Sequence, residues 1–223
     1  MTSITKPQWP FYAAWIILTG LCLPVAFLLS IPIIKSITFF IGDHITVGGV
    51  RHITEDYLFA YILLSVAGLL VGLVQYALLR RYLLQIGWWI LVTVLGWTVG
   101  YLLNDGLMQV VSRLWSMEVY FNGHWSEYVI FLLLGLSIGF WQWLVLRGRV
   151  PQAGWWIWAN ITGWALFALI YVNADRLGIE LFVLESLPGK FLAVALWLLP
   201  GCTTAVTLAF FFNQNLEAEL QPL

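Results

Sequence analysis

Two four-residue segments, His52-Ile-Thr-Glu55 and His124-Trp-Ser-Glu127, carry side chains that bind metals. Each stands just ahead of a long apolar run. If the helix has already begun there, a His and a Glu three residues apart share one face. Two such pairs offer two imidazoles and two carboxylates, a set suited to an external zinc or iron ion. The competing reading is structural. Thr54 and Ser126 have the chemistry of helix caps, and acids in a first turn are favoured by the helix dipole. His52 and His124 also lie 23 and 18 residues before Gln75 and Gln142, a mismatch of about 7.5 Å in depth if both segments are helical. No other cofactor is implied.

A second group of candidates is polar but uncharged. Gln75 and Gln142 each lie five residues from an arginine, inside otherwise apolar text, and Asn160 and Thr162 follow in a later apolar run. A buried amide is costly unless it is hydrogen-bonded. These residues therefore either bond between helices or line a pathway for a small neutral solute. Arg51, Arg113 and Arg176 are spread one to each long connection, as a ring for an anion or as solvated charges.

Other chemistries lack their residues. There is no G-x-S-x-G elbow, no H-E-x-x-H pair and no phosphate loop ending in Lys-Ser/Thr. Proton relays and ion-coupled pathways normally need ionisable groups at membrane depth, and the apolar runs hold none in their interiors. Nor do those interiors hold a lysine for retinal or a histidine for haem or chlorophyll. The reading is a non-enzymatic chain.

The elements that position these residues follow from composition. Apolar residues make up 61% of the chain and charged residues 9%, against about 25% charged in an ordinary soluble domain; mean hydropathy is +0.89. Too little polar surface remains to face water, so the solvent is lipid. A net charge of -1 offers nucleic acid no basic stripe. About 20 apolar helical residues cross a bilayer core. Six stretches are predicted to do so: about Phe11–Ile34, Tyr57–Leu79, Trp88–Leu103, Tyr128–Leu146, Trp155–Val172 and Lys190–Phe212, with residues 83–87 extending the third. The first run is too long for a signal peptide and is expected to stay.

Two short connections are purely basic, with Arg80 and Arg81 in one and Arg147 and Arg149 in the other. The long ones, about 35–56, 104–127 and 173–189, hold nine acids between Asp43 and Glu185. Basic short loops mark the cytoplasmic side, which puts both termini in the cytoplasm and residues 214–223 in a short tail there. Leu107, Val110, Val111, Leu114 and Trp115 have helical spacing, as do Leu177, Leu181 and Leu184. They predict short amphipathic helices along the external interface.

An offset of 67 residues superposes Gly68, Gly72, Gln75, Arg80, Gly87, Trp88, Trp89, Gly96 and Trp97 on Gly135, Gly139, Gln142, Arg147, Gly154, Trp155, Trp156, Gly163 and Trp164. A fainter third copy is split between the chain ends. In it, Ala14-Trp15 through Thr19-Gly20 echoes the text before Gly163, Gly201 with Ala205 echoes the small pair, and Leu208 falls where Gln is expected. The single membrane domain, residues 1–223, thus reads as three tandem two-helix repeats, about 11–80, 87–147 and 154–213. The pairs Gly68/Gly72, Gly96/Gly100, Gly135/Gly139 and Gly201/Ala205 are expected to admit a neighbouring backbone, within the chain or in a second copy of it.

The text from Gln142-Trp-Leu-Val-Leu-Arg147 to Gly154-Trp-Trp-Ile-Trp-Ala-Asn-Ile-Thr-Gly-Trp164 resembles a group of bacterial, often cyanobacterial, multi-pass membrane proteins, over about residues 68–100 and 135–167. The resemblance implies a bacterial inner or thylakoid membrane and brings no activity with it. The expected function is an accessory or structural component of a membrane complex, with lipid and other membrane subunits, or itself, as partners. The alternatives are a facilitator for a small neutral solute and the external metal site.

Overall fold

The computed structural model describes residues 7–47, 50–83, 85–114, 125–174 and 195–220. Among them run six long helices and one hairpin: α1 (Trp9–Ile41), β1 (His44–Val47), β2 (Val50–Ile53), α2 (Thr54–Leu79), α3 (Trp89–Leu114), α4 (Trp125–Leu146), α5 (Trp155–Val172) and α6 (Leu199–Leu220). Helix is the form these runs must take in lipid, because it satisfies every backbone group within its own segment. The first five helices are long and apolar enough to cross a membrane. The sixth falls short by composition, because its last turns carry Asn213, Gln214, Asn215, Glu217 and Glu219. Of the predicted sixth stretch, residues 190–194 lie outside the described residues, and Trp197 and Leu198 form a turn before α6.

Three local expectations are corrected. Helix α3 starts at Trp89, not near residue 83, because the chain turns between α2 and α3 with Gln85 at φ 60°. At its other end it runs on to Leu114, so Leu107, Val110 and Val111 belong to a membrane helix and not to a separate interfacial one. Nothing between Leu103 and Leu114 breaks a helix more strongly than Gly106, and Gln109 Nε2 donates to Asp105 Oδ2 one turn back. Trp115, Leu177, Leu181 and Leu184 lie outside the described residues. Finally, α1 has 33 residues, about 50 Å of helix, and so outruns a bilayer core of about 30 Å. The chain beyond it forms an antiparallel hairpin pairing His44 with Ile53 and Val47 with Val50.

Each helix packs mainly on its neighbours in sequence, and α6 returns to pack on α1. The six therefore form a closed ring. Phe11, near the start of α1, meets Phe212, near the end of α6, at 6.2 Å between ring centroids. Tyr82, in the α2–α3 turn, meets both, at 4.9 and 5.6 Å. The start of α1, the arginine-bearing turn and the later part of α6 thus share one end of the bundle.

Small residues set the spacing of the ring. A Cβ on Gly68 would lie 3.0 Å from Val94 Cα, and one on Gly72 3.0 Å from Ile90 Cα. The counterparts are 3.0 Å from Gly135 to Ile161 Cα and 2.9 Å from Gly139 to Ile157 Cα. A Cβ on Gly96 would lie 2.7 Å from Ile138 Cα, and one on Gly100 3.1 Å from Leu134 Cα. All six face a neighbouring helix of the same chain.

Candidate functional site

The most polar part of the interior lies on the ring's inner side. Trp89 and Trp156 open α3 and α5 and are fully buried. An indole N–H can only donate. Trp89 Nε1 donates to Gln75 Oε1 at 3.2 Å, and Trp156 Nε1 donates to Gln142 Oε1 at 2.8 Å. These donors fix which way each amide points. Gln142 Nε2 is then free to donate to Gln75 Oε1 and to Thr93 Oγ1, both at 3.0 Å. Thr93 passes its own proton to Trp89 O at 2.7 Å. Gln142 is 1% exposed and Gln75 4%, and the two amides predicted as intramembrane polar residues meet each other, Gln142 bonding through both its oxygen and its nitrogen and Gln75 through its oxygen.

A third contact of the same kind closes the ring. Trp15 on α1, also fully buried, donates its Nε1 proton to Thr204 Oγ1 on α6 at 3.0 Å, and Thr204 donates to Pro200 O at 2.8 Å. Trp156 stands edge-on to both Trp15 and Trp89, with centroids 6.1 and 5.9 Å apart. Phe11, Leu79, Leu146, Leu208 and Phe211 pack into the same buried cluster. This cluster fills the end of the bundle that carries Arg80 and Arg147.

The contacts give a register that the sequence echo missed. Gly72, Gly139 and Gly201 approach Ile90, Ile157 and Ile16, the residues that follow Trp89, Trp156 and Trp15. Three residues beyond each glycine stands the indole's acceptor, Gln75, Gln142 or Thr204. Gly201 thus approaches Ile16 much as Gly72 and Gly139 approach Ile90 and Ile157, and Thr204 accepts from Trp15 as the two glutamines accept from Trp89 and Trp156. Likewise Thr19 stands four residues beyond Trp15, as Asn160 stands four beyond Trp156. The slip has a physical origin. Seventeen residues separate Gly72 from Trp89 and Gly139 from Trp156. The stretches from Trp15 to Gly72, Trp89 to Gly139 and Trp156 to Gly201 are 57, 50 and 45 residues long. The offset of 67 relates the first two contacts, and those unequal connections keep it from reaching the third.

Of the remaining predicted polar residues, Asn160 is buried and donates from Nδ2 to Trp156 O at 2.9 Å. Thr162 is exposed on α5 and lies apart from the network. Ala205 is buried beside Gly201 on α6. Among the six helices, about one turn past the indoles, is a cavity of about 30 Å³ whose lining comes from every one of them. Gln75, Gln142, Asn160, Thr19, Trp97 and Thr204 supply its polar part.

The chain matches no protein-family model, no curated protein and no solved structure.

At the other end of the bundle, Tyr61 donates to Asp105 Oδ2 at 3.2 Å, joining α2 to α3. Tyr128, 67 residues on, accepts from Asn173 Nδ2 and so joins α4 to the end of α5. The metal candidates separate there. His52 sits on β2, outside α2, with its ring 4.9 Å from that of Tyr57; it therefore does not share a helical face with Glu55, which lies in the first turn of α2. Glu127 is in the first turn of α4, and His124 lies outside the described residues. Among the described residues no three His, Cys, Asp or Glu are grouped closely enough for a metal. Thr54 does not cap α2: its hydroxyl donates to Gly42 O at 2.7 Å and ties α2 to the end of α1. Arg51 is on β2, Arg113 on α3, and Arg176 is outside the described residues.

Proposed function

We propose that the chain is a non-enzymatic structural or accessory component of a membrane complex, built from three two-helix repeats that cross the bilayer six times. Both termini lie on the cytoplasmic side, in a bacterial inner or thylakoid membrane. One observation carries this reading. At the arginine-bearing end Gln142, Thr93 and the carbonyl of Gln75 are bonded to one another or to buried indoles, Thr204 holds the third indole, and the cavity behind them is about 30 Å³. A ligand pocket is usually several hundred Å³. A facilitator needs a wet path, and this arrangement offers a hydrogen-bonded seal. The adjacency of Phe11, Tyr82 and Phe212 supports an even number of crossings.

The outer surface supplies the partner face. Trp155, Trp158 and Phe210 are exposed on it, and lipid or a neighbouring subunit covers them. The test pairs two measurements on one preparation. Extraction in a mild detergent is expected to recover the chain with a membrane subunit in fixed stoichiometry. Proteoliposomes containing it are expected to leak neutral solutes no faster than empty ones. A lone monomer whose flux falls in a Gln75→Leu/Gln142→Leu variant would instead make it a facilitator.

A further inference from the structure

We infer that the central cavity is a built site for internal water, one or two molecules, hydrogen-bonded to the helices that carry the three buried tryptophans. The inference starts from unsatisfied chemistry. Trp97 on α3 is 5% exposed, and its indole N–H has no protein partner. The hydroxyl of Thr19 on α1 is likewise buried without one. Both residues line the same cavity. Two further groups there are only half used. Gln75 bonds through Oε1, so its amide N–H groups take part in none of the network contacts. Asn160 bonds through Nδ2, which leaves its carbonyl oxygen as an acceptor.

The set is complementary to one ligand class. Trp97 and Gln75 donate, Asn160 accepts, and Thr19 does either. An occupant must therefore accept and donate from the same small volume, as water does, typically making two to four hydrogen bonds in a buried site. Size makes the same selection: one water needs about 10–15 Å³ of such space, and the cavity has about 30 Å³. A polyol, an amide or a hydrated ion is too large. A dry cavity is normally apolar throughout, and this one is not.

Position explains why such a site is useful. Thr19, Thr93 and Asn160 each stand four residues beyond a buried indole, Trp15, Trp89 or Trp156. At Thr93 the polar side chain is satisfied within the network, through Gln142 and Trp89. Thr19 on α1 and Asn160 on α5 line the cavity, where water completes the layer. The water joins α1, α3 and α5, which are not adjacent in the ring and otherwise meet through their tryptophans.

Infrared difference spectroscopy of the full chain in nanodiscs, exchanged between ordinary and oxygen-18 water, tests this. The wild type is expected to show weakly bonded O–H stretches that move with the isotope, and Thr19→Val and Asn160→Leu are each expected to remove or shift them. Absence of any isotope-sensitive stretch, or stretches that both variants leave unchanged, overturns the inference. A density map of the wild type that resolves ordered water decides independently of any variant. A peak within reach of Trp97 Nε1 and Asn160 supports the site, and side chains closed over that space overturn it.

Discussion

Replacing Gln142 by leucine keeps a similar volume and deletes the hub of the interior network. Three contacts disappear: the bonds from Gln142 Nε2 to Gln75 and Thr93, and the bond it accepts from Trp156. Their consequences differ. Gln75 Oε1 keeps Trp89, and Thr93 keeps its own bond to Trp89 O. Trp156 loses its only acceptor while fully buried. A buried donor left without a partner costs about 1–3 kcal/mol, whereas single hydrogen bonds inside a membrane protein average about 0.6 kcal/mol and reach about 1.7. The leucine side chain recovers part of the loss through packing. The expected net effect is about 1–2 kcal/mol, or about five- to thirty-fold in the unfolding equilibrium. It is measured by unfolding in mixed dodecyl sulfate micelles. A double-mutant cycle isolates the cause, because Trp156→Phe removes the orphaned N–H. The double variant is expected to be more stable than the sum of the two losses predicts, by about 1 kcal/mol. Additivity within about 0.3 kcal/mol would refute the hydrogen-bond account and leave only packing.

Gly96→Ala is expected to lower stability by about 1–3 kcal/mol through overpacking, because its Cβ would meet Ile138 Cα at 2.7 Å. Gly106→Ala, with nothing within 4 Å, is expected to be neutral or slightly stabilising in the same unfolding assay. Thr204→Val is isosteric and orphans Trp15 Nε1, so a loss of about 1–2 kcal/mol is expected, with the Trp15 indole reporting a lost hydrogen bond by resonance Raman. Single cysteines at Arg80 and Arg147 are expected to react with an impermeant maleimide only after cells are opened. Labelling of intact cells would reverse the orientation.

Six apolar runs were legible as membrane helices, and five of the helices are long and apolar enough to cross, because hydrocarbon length is a coarse requirement that composition meets. The Gln75–Gln142 meeting was legible in part. An amide recurring at a fixed offset inside apolar text must find a partner, and here each copy finds an indole and the other amide. The third contact was hidden for two reasons. The indole's acceptor there is a threonine, Thr204, and not a glutamine, and the stretches between tryptophan and glycine differ in length, so the offset of 67 does not reach it. The end of α3 was misjudged because Asp105 lowers local hydropathy without interrupting the helix. Tyr61 takes that carboxylate as a hydrogen-bond partner. The hairpin after α1 left no clear alternation in the sequence, since both of its short strands are largely exposed.

Closure of α6 onto α1 is what makes the six helices a ring, and cross-linking measures it directly. In a chain with Cys22 and Cys202 changed to alanine, cysteines at Phe11 and Phe212 are expected to be joined within one chain by a short thiol-specific cross-linker in native membranes, because the two rings stand 6.2 Å apart. The product is a monomer with altered mobility. Cross-linking that yields only dimers, or none while each single cysteine remains reactive, would mean that α6 lies elsewhere and the ring is open.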